Sequence, residues 1–85
     1  MSVFNCMKEV IKMRERRIRL RPEEARDFVS ASSKCNFDID VFYNRVIIDA
    51  KSILGVLGLD FTKELTVQYA GYDRNFENMI NLHAC

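Results

Sequence analysis

The stretch Asn36–Asp49, "NFDIDVFYNRVIID", decides how the chain folds. Phe37, Ile39 and Val41 alternate with Asp38, Asp40 and Phe42, which is the two-residue period of a strand with one buried face. Tyr43-Asn44 is a turn signal, and "RVIID" after it reads as the second arm of a β-hairpin. A hairpin with one wet face needs further elements to cover the other face.

Outward from the hairpin, the same rules place the remaining elements. "KEVIKM" (8–13) alternates polar and apolar residues around β-branched ones and reads as a strand. Proline suits a first helical turn, so a helix is expected from Pro22 to about Lys34, with Ala25, Phe28, Val29 and Ala31 or Ser32 inward. Ser52 before "ILGVLGL" is a helix N-cap, its hydroxyl accepting an orphan N–H, and Gly58 is a natural stop. "ELTVQYA" (64–70) alternates with Leu65, Val67 and Tyr69 on one face. Asp73 caps a last helix with Phe76, Met79, Ile80 and His83 along one side. The order β-α-β-β-α-β-α predicts one α+β domain over residues 1–85. Its architecture is a two-layer open-faced sandwich, a four-stranded antiparallel sheet with three helices on one face.

Composition agrees with a folded domain: of 85 residues 48% are hydrophobic and 29% charged. No apolar run approaches the roughly 20 residues of a membrane span, so no membrane insertion is expected. "MSVFNCMKEV" lacks the basic and long apolar regions of a signal peptide. Cys6, Cys35 and Cys85 are an odd number without CxxC spacing, which argues against a zinc site or a disulfide framework and for a reducing cytoplasm. They read as core or terminal residues.

Charge is unevenly placed. Residues 1–30 carry eight Lys/Arg against five Asp/Glu, and residues 31–85 carry five against seven. Five arginines fall between Arg14 and Arg21, in front of a helix start. They read either as a solvated strand edge or as an anion site, with Arg17, Arg19 and Arg21 as its ligands. A net charge of +1 and no interleaved aromatic residues argue against nucleic acid as the partner. No metal ligands, glycine-rich phosphate loop or catalytic acid pair are present, and no cofactor is expected.

The element order and two local patterns resemble the HPr family, the small histidine-containing phosphocarriers of the bacterial sugar phosphotransferase system. The family's Gly-Leu-His-Ala-Arg-Pro is matched by Arg17-Ile18-Arg19-Leu20-Arg21-Pro22, of which the aliphatic Ile18 and the Arg21-Pro22 pair are kept. "AKSILGVLGL" (50–59) is similar to the family's regulatory segment. There the resemblance puts Ser52 on the serine modified by HPr kinase/phosphorylase, and Lys51, Ile53, Leu54 and Leu57 on a docking surface.

The resemblance puts Arg19 where the phosphocarrier histidine belongs, and a guanidinium stays protonated and is no nucleophile. His83 is read as a helix-end residue. The chain is therefore expected not to be an enzyme or phosphocarrier but a docking module of sugar transport regulation, similar to catabolite-repression HPr. The implied partners are phosphotransferase-system enzymes, HPr kinase/phosphorylase or a LacI-type repressor. The alternatives are a working phosphocarrier with an atypical site and a repurposed anion- or nucleic-acid-binding module.

Overall fold

The structure, a computed structural model, describes residues 13–85. Four strands, β1 (Arg14–Ile18), β2 (Ile39–Tyr43), β3 (Val46–Asp49) and β4 (Leu65–Tyr69), form one antiparallel sheet in the order β1-β4-β2-β3. Three helices, α1 (Ala25–Ser33), α2 (Ile53–Leu57) and α3 (Arg74–His83), complete an α+β open-faced sandwich. Most of the strand expected at 8–13 lies outside the described residues, as do Cys6 and the segment read for a signal peptide. Met13 precedes the first described strand, which is made of the arginine-rich stretch itself.

Alternation fixes which face is covered. Ile18, Ile39, Val41, Leu65, Val67 and Tyr69 are all fully buried and share the helix-facing side. The register lines up two rows on the other side, Glu15–Gln68–Asp40–Asp49 and Arg17–Thr66–Phe42–Ile47. The hairpin turn between Tyr43 and Val46 needs one residue in the left-handed region, and Asn44 supplies it with φ 55°.

Each helix presents its apolar stripe to this sheet. Pro22–Glu24 forms a 3-10 turn ahead of α1, where the Arg21 N–H donates to Glu24 Oε1 at 2.8 Å and the Glu24 N–H donates to the Arg21 carbonyl at 2.9 Å. Ala25, Phe28, Val29 and Ser32 are the buried positions of α1, and the Ser32 hydroxyl donates to the Phe28 carbonyl at 2.8 Å. In α2 the Ser52 hydroxyl accepts the Gly55 N–H at 3.2 Å. Gly55 is there for closeness: a Cβ would stand 2.7 Å from the Ile48 Cγ2. Asp73 Oδ1 accepts the Phe76 N–H at 2.9 Å and starts α3, which buries Phe76 and Ile80. Phe76 meets Tyr69 edge-on with centroids 5.0 Å apart, and Phe37 stacks on Tyr69 at 6.1 Å. A side chain at Gly71 would overlap the Phe37 ring.

The segment 83–85 turns back along β1. The Arg19 N–H donates to the His83 carbonyl at 2.9 Å, the Cys85 N–H donates to the Arg17 carbonyl at 3.0 Å, and Ile18 bridges Ala84.

Candidate functional site

The pleat of β1 sorts the five arginines into three environments. Arg14 and Arg16 share the side of Ile18 and reach α3, where their guanidiniums donate to Glu77 at 3.1 and 3.4 Å. Arg16 also donates to Asn81 Oδ1 at 2.6 Å. Glu77 is buried and accepts the Tyr69 hydroxyl hydrogen at 2.7 Å, so this carboxylate is held from three directions. The cluster is a clamp joining β1, β4 and α3. A sequence signal for it exists in hindsight: Glu77 interrupts the apolar stripe of α3 opposite a strand with alternate cations.

Burial, and then the Glu77 carboxylate on its hydroxyl, push the Tyr69 pKa above the ordinary tyrosine value, with Arg14 and Arg16 opposing. Above about pH 10 the unfolded chain loses this proton before the folded one does, so the folded state binds more protons and stability falls as pH rises. Urea unfolding between pH 8 and pH 11 should show that loss, and Tyr69→Phe should reduce its slope. An unchanged slope would remove Tyr69 as the cause.

Arg17 points to the open face, 73% exposed and 3.9 Å from Glu64. That spacing and exposure make it a weak surface pair, on the order of 0–1 kcal/mol. Arg17 therefore does not join the other two arginines expected as anion ligands.

Beyond Ile18 the strand ends, and Arg19 and Arg21 turn into a hollow of about 450 Å³ whose walls include Glu24, Phe61, Leu82 and His83. Leu20 anchors this segment, with only 3% of its surface exposed. Arg19 donates to the Thr62 carbonyl at 3.4 Å, and Arg21 lies 3.9 Å from Glu23. Asp60 fixes the turn that carries Phe61. Its Oδ1 accepts the Thr62 N–H at 3.0 Å and the Thr62 hydroxyl at 2.6 Å, while its Oδ2 accepts the Tyr43 hydroxyl at 3.2 Å. These bonds, the Thr62 hydroxyl first, hold the Asp60 carboxyl below its usual range.

His83 is the last residue of α3 and partly exposed, as expected of a helix-end residue. Its ring lines the hollow, 17% exposed, with Nδ1 3.7 Å from Glu24 Oε1. Sequence reasoning had no route to this, because the encounter depends on where α3 ends against β1.

The second candidate region is α2. Ser52 is exposed, and Leu54 and Leu57 are 82% and 50% exposed on the outer side of the helix. Ile53 instead packs against the core, and Val56 is fully buried. The Lys51 ammonium donates to the Cys35 carbonyl at 3.0 Å, so it is engaged away from Ser52. The Lys51 N–H donates to Asp49 Oδ1 at 2.9 Å, which leaves a carboxylate close to the serine. Of the expected docking residues, Leu54 and Leu57 offer apolar surface and Ile53 serves mainly as an anchor.

Burial foremost, then Asp73 and Glu77, raise the Cys35 thiol pKa against the lowering effect of Lys51, which fits a packed and unreactive side chain. Cys85 is exposed. Among the described residues no group of three or more His, Cys, Asp or Glu could hold a metal ion, and no helix is long and apolar enough to cross a membrane. No protein-family model matches the chain, and no curated protein matches it.

Proposed function

We propose that the chain is an HPr-like docking module of the bacterial cytoplasm that engages other proteins through α2, with Ser52 as its phosphorylation site and without phosphocarrier activity of its own. The observation that carries this reading is the division of α2. Ser52 is exposed at its first turn, Leu54 and Leu57 face solvent, and Ile53 and Val56 hold the helix on the core. A phosphate on Ser52 would add roughly two negative charges beside an apolar surface and present acceptor oxygens to the first-turn N–H groups. Lys51 would have to leave the Cys35 carbonyl to pair with it, and Asp49 opposes it.

Incubation with HPr kinase/phosphorylase and ATP tests the assignment. One phosphate per chain is expected, located on Ser52 and absent from Ser52→Ala. That variant should also lose about 1 kcal/mol of stability with its N-cap. No incorporation into the wild-type chain would leave only docking without phosphorylation.

The placement of His83 beside Arg19 and Arg21 favours a second reading, a phosphocarrier with an atypical site. In it a His83 ring nitrogen attacks the phosphoryl donor, and the N–P bond forms as the donor's bond to phosphorus breaks. Acid-labile phosphate on His83, after incubation with phosphoenolpyruvate and the first phosphotransferase-system enzyme, would establish this second reading over the first.

A further inference from the structure

The two edges of the sheet differ. Residues 83–85 occupy the outer side of β1, bonding to Arg17 and Arg19 and bridging Ile18. β3 is the other edge, and among the described residues nothing pairs with its outer side. A two-residue hairpin hydrogen-bonds the pair next to its turn, here Tyr43–Val46, and every second pair after it. The Ala50 N–H donates to the Ile39 carbonyl at 2.9 Å, in step with that alternation. Val46 and Ile48 therefore bond inward to β2. Ile47 turns its N–H and carbonyl outward, and Asp49 turns its N–H outward while its carbonyl accepts the Ser52 N–H at 3.0 Å.

An open edge is a template for another strand, and charge at its middle is the usual protection. Here the middle is Ile47, 62% exposed, and the charges stand at the ends, Arg45 before the strand and Asp49 at its close. Asp49 lies directly across from Asp40 on the open face, where like charges repel. Among the described residues neither carboxylate has an ion-pair partner, and neither does Arg45.

We propose that β3 pairs antiparallel with β3 of a second copy of the chain, about a two-fold axis at Ile47, joining the two sheets into one. In this register Ile47 of each copy donates to and accepts from the other. Arg45 stands opposite Asp49 of the second copy at both ends, and its charge offsets the Asp40–Asp49 repulsion. On the open face the Phe42–Ile47 row runs on into Ile47 and Phe42 of the second copy, a continuous apolar band across the axis. Only alternate residues bond outward, so the register changes in steps of two. A slip either way parts the ion pairs, and one of the two sets Arg45 against Lys51. The contact is isologous and closes on itself, which gives a dimer. A four-residue edge buries less than the roughly 1,200 Å² of stable complexes, so the dimer is weak and reversible.

The test is sedimentation equilibrium and amide NMR of the full chain over about a hundredfold range of concentration. The mass should rise toward twice that of one chain, with shifts centred on the Ile47 and Asp49 amides. Arg45→Asp, Asp49→Arg and Ile47→Lys should each weaken association about fivefold or more, as like charges placed opposite each other do. Mixing Arg45→Asp with Asp49→Arg should restore it, because the new carboxylate faces the new cation and the unaltered Arg45 and Asp49 still face each other. Asp49 Oδ1 also accepts the Lys51 N–H, so if Asp49→Arg does not fold, Arg45→Asp and Ile47→Lys decide by themselves. A constant single-chain mass, shifts centred on Leu54 and Leu57 of α2, or wild-type association by Arg45→Asp and Ile47→Lys would each overturn the proposal. So would two folded variants of opposite charge whose mixture stays monomeric. Protected Ile47 and Asp49 amides in a monomeric chain would assign the edge to residues 1–12 of the same chain, and would overturn it too.

Discussion

Phe76→Ala is expected to destabilise the protein by about 3–5 kcal/mol, the usual cost of emptying a buried aromatic position. Phe76 is fully buried and edge-on to both Tyr69 and Phe37. Its loss therefore removes transfer energy, leaves a cavity, and takes the central member from an aromatic trio. Domains of this size lie toward the lower part of the usual range of about 5–15 kcal/mol, so the variant should be substantially unfolded at ordinary temperature. Thermal and urea unfolding followed by circular dichroism read this directly. A loss below 1 kcal/mol would mean that α3 repacks and that the trio is not the centre of the core.

The second large effect is expected at Glu77. Changing it to Leu leaves the Tyr69 hydroxyl buried without its acceptor and frees Arg14 and Arg16 from their shared carboxylate. Arg14 is half exposed and can find water, so the cost falls mainly on the tyrosine and on the partly covered Arg16. A loss of about 2–4 kcal/mol is expected, since breaking a buried charge pair from one side strands the partner. Glu77→Gln keeps an acceptor and should cost clearly less. Equal urea midpoints for the Leu variant and wild type would show that the clamp contributes no net stability. A double-mutant cycle with Tyr69→Phe would then give the size of their coupling.

These two positions also mark where sequence reading succeeds and where it stops. Phe76 follows from the spacing of the α3 stripe, as Ile39, Val41, Leu65 and Val67 follow from strand alternation, because a buried face needs nothing beyond its own period. Ser52 and Asp73 are legible for a similar reason: a cap bonds to residues three positions away. The strand β1 is not legible in this way. Arg14, Arg16 and Arg17 read as polar on both faces, and the inward side becomes acceptable only when Glu77 arrives from the far end of the chain. The hollow beyond β1 is half legible for the same cause. Arg19 and Arg21 announce it locally, whereas Glu24's pairing with His83, and the exclusion of Arg17, depend on tertiary placement and on the pleat.

The return of residues 83–85 along β1 has a dynamic consequence. The amides of Arg19 and Cys85 are tied to partners across this seam, and the same seam carries His83 into the hollow. Fraying of the last turn of α3 would unzip both amides in one local opening, well below the cost of global unfolding. Hydrogen exchange at Arg19 and Cys85 should thus run at matched rates, faster than at the amides of the central strands β4 and β2. The backbone at these two positions becomes a reporter of how firmly the end of α3 is seated.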